Sequence, residues 1–197
     1  MYIEFTAAKN DFLNAAARTY ASGIQTGTGG NLSVRIPGSE LMLVKPSGFT
    51  FGQCSEDNLC IADFDGNLVE GKYKPTQEST LHGSLYRNYP QIGGIVHTHS
   101  VYSILCSLSF DEITLPTMHS SLKLKRNIGV ADVQTQAVTG EELPKVFRLM
   151  EKDSAAGVLL LRGHGTVSWA KTAEAAGQNC ELVEETARIF WELNKAK

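Results

Sequence analysis

Between residues 32 and 72 the sequence spells out two successive hairpins, and no other feature narrows the fold as much. Leu32-Ser33-Val34-Arg35-Ile36 alternates apolar and polar side chains, as a strand buried on one face does. Pro37-Gly38-Ser39 turns the chain, and residues 41–45 return beside it before Pro46-Ser47-Gly48 breaks the pairing. Residues 59–64 and 68–72 repeat the plan around Asp65-Gly66, a dipeptide suited to a tight hairpin turn. Hairpins join antiparallel neighbours, whereas parallel strands need a long crossover. The chain is therefore expected to build a mostly antiparallel sheet.

Helical spacing accounts for much of the rest. Phe5, Ala8, Phe12, Ala16 and Tyr20 fall on one stripe that ends at Gly23. A second helix is expected from Pro75, with the proline in its first turn, and a third near Ser100. Thr139-Gly140-Glu141-Glu142 reads as a capping box opening a helix to about residue 152. A long amphipathic helix follows from about residue 172, with Ala176, Cys180, Val183, Ala187 and Phe190 on one face. Residues 157–162 and 166–170 read as strands, and Leu122-Lys123-Leu124-Lys125 as an edge strand. The expectation is an α/β fold, with helices covering the sheet in one domain over residues 1–197.

Composition removes several alternatives. A net charge of -3 gives no reason to expect nucleic acid or a membrane as partner. Cys54, Cys60, Cys106 and Cys180 are widely spaced and read as reduced thiols. The first residues carry no leader pattern, so the expected location is cytoplasmic.

Chemistry concentrates in a few positions. Gly93-Gly94-Ile95-Val96-His97-Thr98-His99-Ser100 reads as a buried strand ending in two histidines on the same face. Neutral imidazoles so placed suit zinc or another borderline divalent ion, and they equally suit two histidines satisfied by carbonyls. His164 stands between Gly163 and Gly165 at a strand break, where the backbone can come close to a ligand. Glu78 is expected in the first turn of a helix, and His82 shares its face four residues on, in a packing or supporting role. His119 has no spacing argument and is read as a pocket residue. Gly29-Gly30-Asn31, Ser47-Gly48 and Thr76-Gln77 each offer small residues, backbone N–H groups and a hydroxyl or amide, as anion sites do, although each taken singly reads as an ordinary turn.

Taken together, these stretches resemble the class II aldolase/adducin family. The resemblance runs from Gly27-Thr28-Gly29-Gly30-Asn31-Leu32-Ser33 through Lys45-Pro46-Ser47-Gly48, Lys74-Pro75-Thr76-Gln77-Glu78, Val96-His97-Thr98-His99-Ser100 and Gly163-His164-Gly165. It implies a three-layer α/β/α fold around a central, mostly antiparallel sheet, usually in a homotetramer. It implies that His97, His99 and His164 hold Zn2+, or another divalent metal such as Mn2+ or Co2+. Glu78 matches the catalytic carboxylate, which also approaches the metal. Gly30, Asn31, Ser47, Gly48, Thr76 and Gln77 match the segments that hold a sugar phosphate, although Gln77 replaces the commoner serine. The implied reaction is retro-aldol cleavage of a ketose phosphate through a metal-stabilised enediolate, as in the fuculose-phosphate-aldolase branch. The ribulose-phosphate 4-epimerase branch usually has aspartate at Glu78 and a later catalytic tyrosine. The fuculose-phosphate-aldolase branch has glutamate there, but often a tyrosine near His119-Ser120 and a C-terminal tail. Here no tyrosine follows Tyr102, so the chain departs from both. A dehydratase or decarboxylase of the same family is a further alternative.

Overall fold

The computed structural model describes residues 2–152 and 157–195. Its strands are β1 (Asn31–Arg35), β2 (Leu41–Val44), β3 (Cys60–Asp63), β4 (Leu68–Glu70), β5 (Gly94–Thr98), β6 (Glu112–Ile113), β7 (Ile128–Ala131), β8 (Val158–Leu161) and β9 (Gly165–Ala170). They form one sheet in the order β4-β3-β2-β1-β5-β9-β8-β7-β6. Both expected hairpins are present as β1–β2 and β3–β4, and β7–β8 is the parallel pair in an otherwise antiparallel sheet.

Helices α1 (Tyr2–Ala21), α2 (Ser79–Asn88), α3 (Val101–Ser109), α4 (Met118–Leu124), α5 (Leu143–Lys152) and α6 (Ala173–Lys195) cover both faces. Successive strand residues alternate between the two cores. Met42, Val44, Ile95 and Leu161 pack with Leu81 and Leu85 of α2 and Val146 of α5. Leu32, Leu43 and Val96 pack with Phe12 of α1 and Ala176 of α6, while Leu160 packs with Cys106 of α3 and Leu124 of α4. Each such fully buried leucine stabilises the fold by about 2 kcal/mol through removal of apolar surface from water. The result is the expected three-layer arrangement, and all four cysteines are free.

Three local expectations need correction. Residues 122–125 are not an edge strand: they end α4, and Lys125 closes that helix in the left-handed region at φ 65°. Their alternation of apolar and charged groups is short enough to fit a helix as well as a strand. Pro75 does not start α2. It bridges Pro46, and a turn closed by the Ser79 N–H on the Thr76 carbonyl then brings Glu78 to the N-cap position, without a capping side-chain bond. Thr139 likewise makes no side-chain cap, and Gly140–Glu142 forms a 3-10 turn before α5.

Candidate metal centre and active-site cavity

His97 lies in β5, between β1 and β9, and is fully buried. Its Nδ1 donates to the carbonyl of Thr166 at 2.9 Å, which leaves the Nε2 lone pair facing the site. His99 follows one residue beyond β5, where its backbone N–H donates to Gln25 Oε1 at 2.6 Å. His164 is carried by the turn between β8 and β9, closed by a bond from its N–H to the Leu161 carbonyl. The Nε2 atoms of His99 and His164 stand 2.9 and 3.3 Å from that of His97. Strand β9 reaches this position because Gly165, at φ 146°, brings its backbone against Thr98: a Cβ there would lie 2.1 Å from the Thr98 carbonyl oxygen.

Glu78 Oε2 lies 3.3 Å from His97 Nε2 and accepts a 2.7 Å bond from Asn31 Nδ2. Burial pushes all three histidines down to about 4, so each is neutral at neutral pH. Burial also raises Glu78, against the opposing pull of His164 and the Asn31 bond. The Glu78–His97 contact is thus not an ion pair. It sets electron-rich atoms against each other around a common point, and Glu78 Oε1 is buried without a partner. A divalent cation resolves both features, and His97, His99 and His164 offer ligand atoms within 4.8 Å of one another.

This cluster forms one end of a cavity of about 620 Å³. Gly30, Asn31, Ser47, Gly48, Thr76 and Gln77 all line it, as do Glu78, His99 and His164. Gly30 adopts φ 65°, and a Cβ there would lie 2.6 Å from Gln25 Oε1 and 2.7 Å from the His97 carbonyl oxygen. The Ser47 N–H bonds the Lys74 carbonyl and the Thr76 N–H bonds the Lys45 carbonyl, so these residues contribute their hydroxyls rather than free amides. The Asn31 amide is directed to Glu78.

The sequence reading missed several cavity residues. Lys45 is 1% exposed, and its Nζ donates to the carbonyls of Thr28 (3.2 Å) and Phe49 (2.5 Å), placing a cation between two glycine-bearing loops. A lysine ending the apolar run Leu41-Met42-Leu43-Val44 was the available signal. Arg162 and residues 133–136 form another wall. Arg162 donates to Asp111, Asp132 and the Ser107 carbonyl, and no local motif announces it. His119 is exposed and does not line the cavity, which corrects its reading as a pocket residue. His82 is buried and bonded to Ser33, in keeping with a supporting role.

The fold and the histidine cluster define the class. Residues 10–191 match the family described as Class II Aldolase and Adducin N-terminal domain, and the chain belongs to that family. Among named relatives, L-ribulose-5-phosphate 4-epimerase UlaF of Salmonella paratyphi B is 31% identical over 177 residues, covering 86% of this chain and 77% of the relative. A solved L-fuculose 1-phosphate aldolase superposes with a TM-score of 0.83 at 27% identity, covering 96% of this chain and 87% of the other. YgbL of Escherichia coli, titled a putative aldolase/epimerase/decarboxylase, gives 0.80 at 26% identity, covering 97% and 91%. No helix among the described residues is long and apolar enough to cross a membrane.

Proposed function

We propose that the protein is a metal-dependent sugar-phosphate aldolase, resembling L-fuculose-1-phosphate aldolase. It reversibly cleaves a ketose phosphate to dihydroxyacetone phosphate and an aldehyde. The observation that carries this reading is the buried Glu78 carboxylate, 3.3 Å from His97 Nε2 and fixed by Asn31. His97, His99 and His164 hold the cation, Zn2+ or alternatively Mn2+ or Co2+, and Glu78 approaches it when substrate is absent. When bound there, the cation supplies Lewis-acid polarisation of the substrate carbonyl.

Cleavage turns the hydroxyl of the leaving carbon into the aldehyde carbonyl, its proton passing to solvent water, and leaves the electron pair of the broken carbon–carbon bond on the carbon beside the ketone carbonyl. Glu78 gives this carbon its proton, and in the condensation direction takes it away. Burial that raises the Glu78 pKa makes its carboxylate a stronger base toward that carbon's proton than an exposed glutamate would be. Gly30, Asn31, Ser47, Gly48, Thr76 and Gln77 hold the phosphate, which supplies binding energy remote from the reacting bond. Residues 1–197 act as one domain, in a cytoplasmic homotetramer.

A second reading, 4-epimerisation of a ribulose phosphate, is favoured by the name of the 31% identical relative. A dehydratase or decarboxylase has the shared family frame in its support. Metal-loaded protein incubated with ketose 1-phosphates and 5-phosphates separates these. Release of dihydroxyacetone phosphate supports the aldolase, while an epimer without cleavage products overturns it in favour of the second reading.

A further inference from the structure

Strand β1 presents Asn31, Ser33 and Arg35 on one face, and each meets the same stripe of the segment that enters α2. Asn31 Nδ2 donates to Glu78 at 2.7 Å. Ser33 Oγ lies 2.7 Å from His82 Nδ1 and 2.8 Å from the Tyr86 hydroxyl. Arg35 donates to the Tyr86 carbonyl and stacks its guanidinium over the Tyr86 ring at 4.8 Å. The helix-side positions are four residues apart and the strand-side positions two. Eight helical residues rise about 12 Å and four strand residues span about 13 Å, so the two rows keep pace from end to end. Ser33, His82 and Tyr86 are all buried, at 0%, 0% and 1% exposure, so water cannot replace their bonds.

From this seam we propose that Ser33 is a positioning residue. Its single hydroxyl, shared by two turns of α2, fixes the helix's axial register on β1 and so holds the Glu78 carboxylate at the histidine cluster. The proposal rests on the reading of Glu78 as the proton carrier. Ser33 itself touches neither substrate nor cation. Glu78 has no capping bond of its own at the start of α2, so its place along the strand depends on the bonds that anchor the helix behind it together with the Thr76 bond to the Lys45 carbonyl before it. Sliding α2 by one residue would shift Glu78 about 1.5 Å and turn it about 100°, which breaks the Asn31 bond. Burial keeps His82 neutral, with its pKa pushed down to about 3, so the Ser33–His82 bond holds without a charge.

The test replaces Ser33 with alanine and, separately, Tyr86 with phenylalanine, in the full metal-loaded chain. For Ser33→Ala the expected result is a fall in kcat of roughly 10- to 50-fold with KM within threefold, since misplacing a reacting group by an ångström acts on turnover. A crystal structure of Ser33→Ala should show Glu78 Oε2 moved out of hydrogen-bond range of Asn31 Nδ2. Tyr86→Phe keeps the Ser33–His82 bond and should lose roughly threefold in kcat. If Ser33→Ala does not fold, Tyr86→Phe is judged on the same readouts. A Glu78 carboxylate unmoved in Ser33→Ala overturns the proposal, as does a kcat within twofold of the parent, even where the melting temperature drops. If the parent releases no dihydroxyacetone phosphate from any ketose phosphate, the aldolase reading fails, and the crystallographic distance alone decides the role of Ser33.

Discussion

At one end of the cavity three imidazoles and a carboxylate converge from β5, the segment just beyond it, the β8–β9 turn and the entry to α2. At the other end the wall is made of glycine-bearing turns and small hydroxyl residues, with the buried Lys45 ammonium behind them. The first end depends on which side chains are present, and its geometry exists only once distant strands have paired. The second depends on backbone conformation, so the absence of side chains matters as much as their identity. Substitutions should therefore fail differently at the two ends: abruptly at the histidines, and by degrees of affinity at the turns.

The sharpest probe of that contrast is His97→Ala. It removes the most buried imidazole of the cluster, and we expect bound divalent metal, measured by elemental analysis, to fall below about a tenth per chain, with turnover down about 10³-fold. Metal retained at full occupancy would break the comparison at its first term. Glu78→Gln should come next, lowering kcat about 10²-fold while bound metal falls far less than in His97→Ala, because the three imidazoles remain. That split is visible by pairing steady-state rates with the same metal assay.

Gly30→Ala probes the junction of the two ends. The residue has φ 65° and lies against Gln25 and the His97 carbonyl, so a methyl group is both strained and crowded. A loss of about 1–3 kcal/mol in urea unfolding is expected, together with a KM raised at least ~10-fold. Ser47→Ala should have the smallest effect. Removing one hydroxyl from the turn should weaken inhibition by inorganic phosphate roughly three- to tenfold and leave kcat within twofold, the scale of one hydrogen bond.

Legibility in the sequence follows the same division. His97, His99 and His164 were identifiable because the residue type itself carries the chemistry, and the strand alternation around Val96 placed the first two on one face. The hairpins were legible because Pro37-Gly38-Ser39 and Asp65-Gly66 write their turns locally. Lys45 was overlooked because a lysine after an apolar strand looks like a solvated end. Its burial emerges only when the loops at Thr28 and Phe49 fold over it. Arg162 was invisible for a related reason: its partners Ser107, Asp111 and Asp132 are far away in the chain. The Leu122-Lys123-Leu124-Lys125 stretch misled because four residues cannot separate a period of two from one of 3.6. Ser33 gave no signal, since its value lies in what α2 brings to it.

The insertion of β9 between β5 and β8 bears on how the molecule comes into being. A nascent chain that has not yet delivered residues 164–170 leaves β5 without a neighbour on that side and His97 Nδ1 without the Thr166 carbonyl. The third imidazole arrives with the same segment, so the histidine cluster cannot assemble before residues 164–170 are made. On the proposed function, metal capture would report that β9 has joined the sheet, and by mass action it would draw newly made chains toward the finished state.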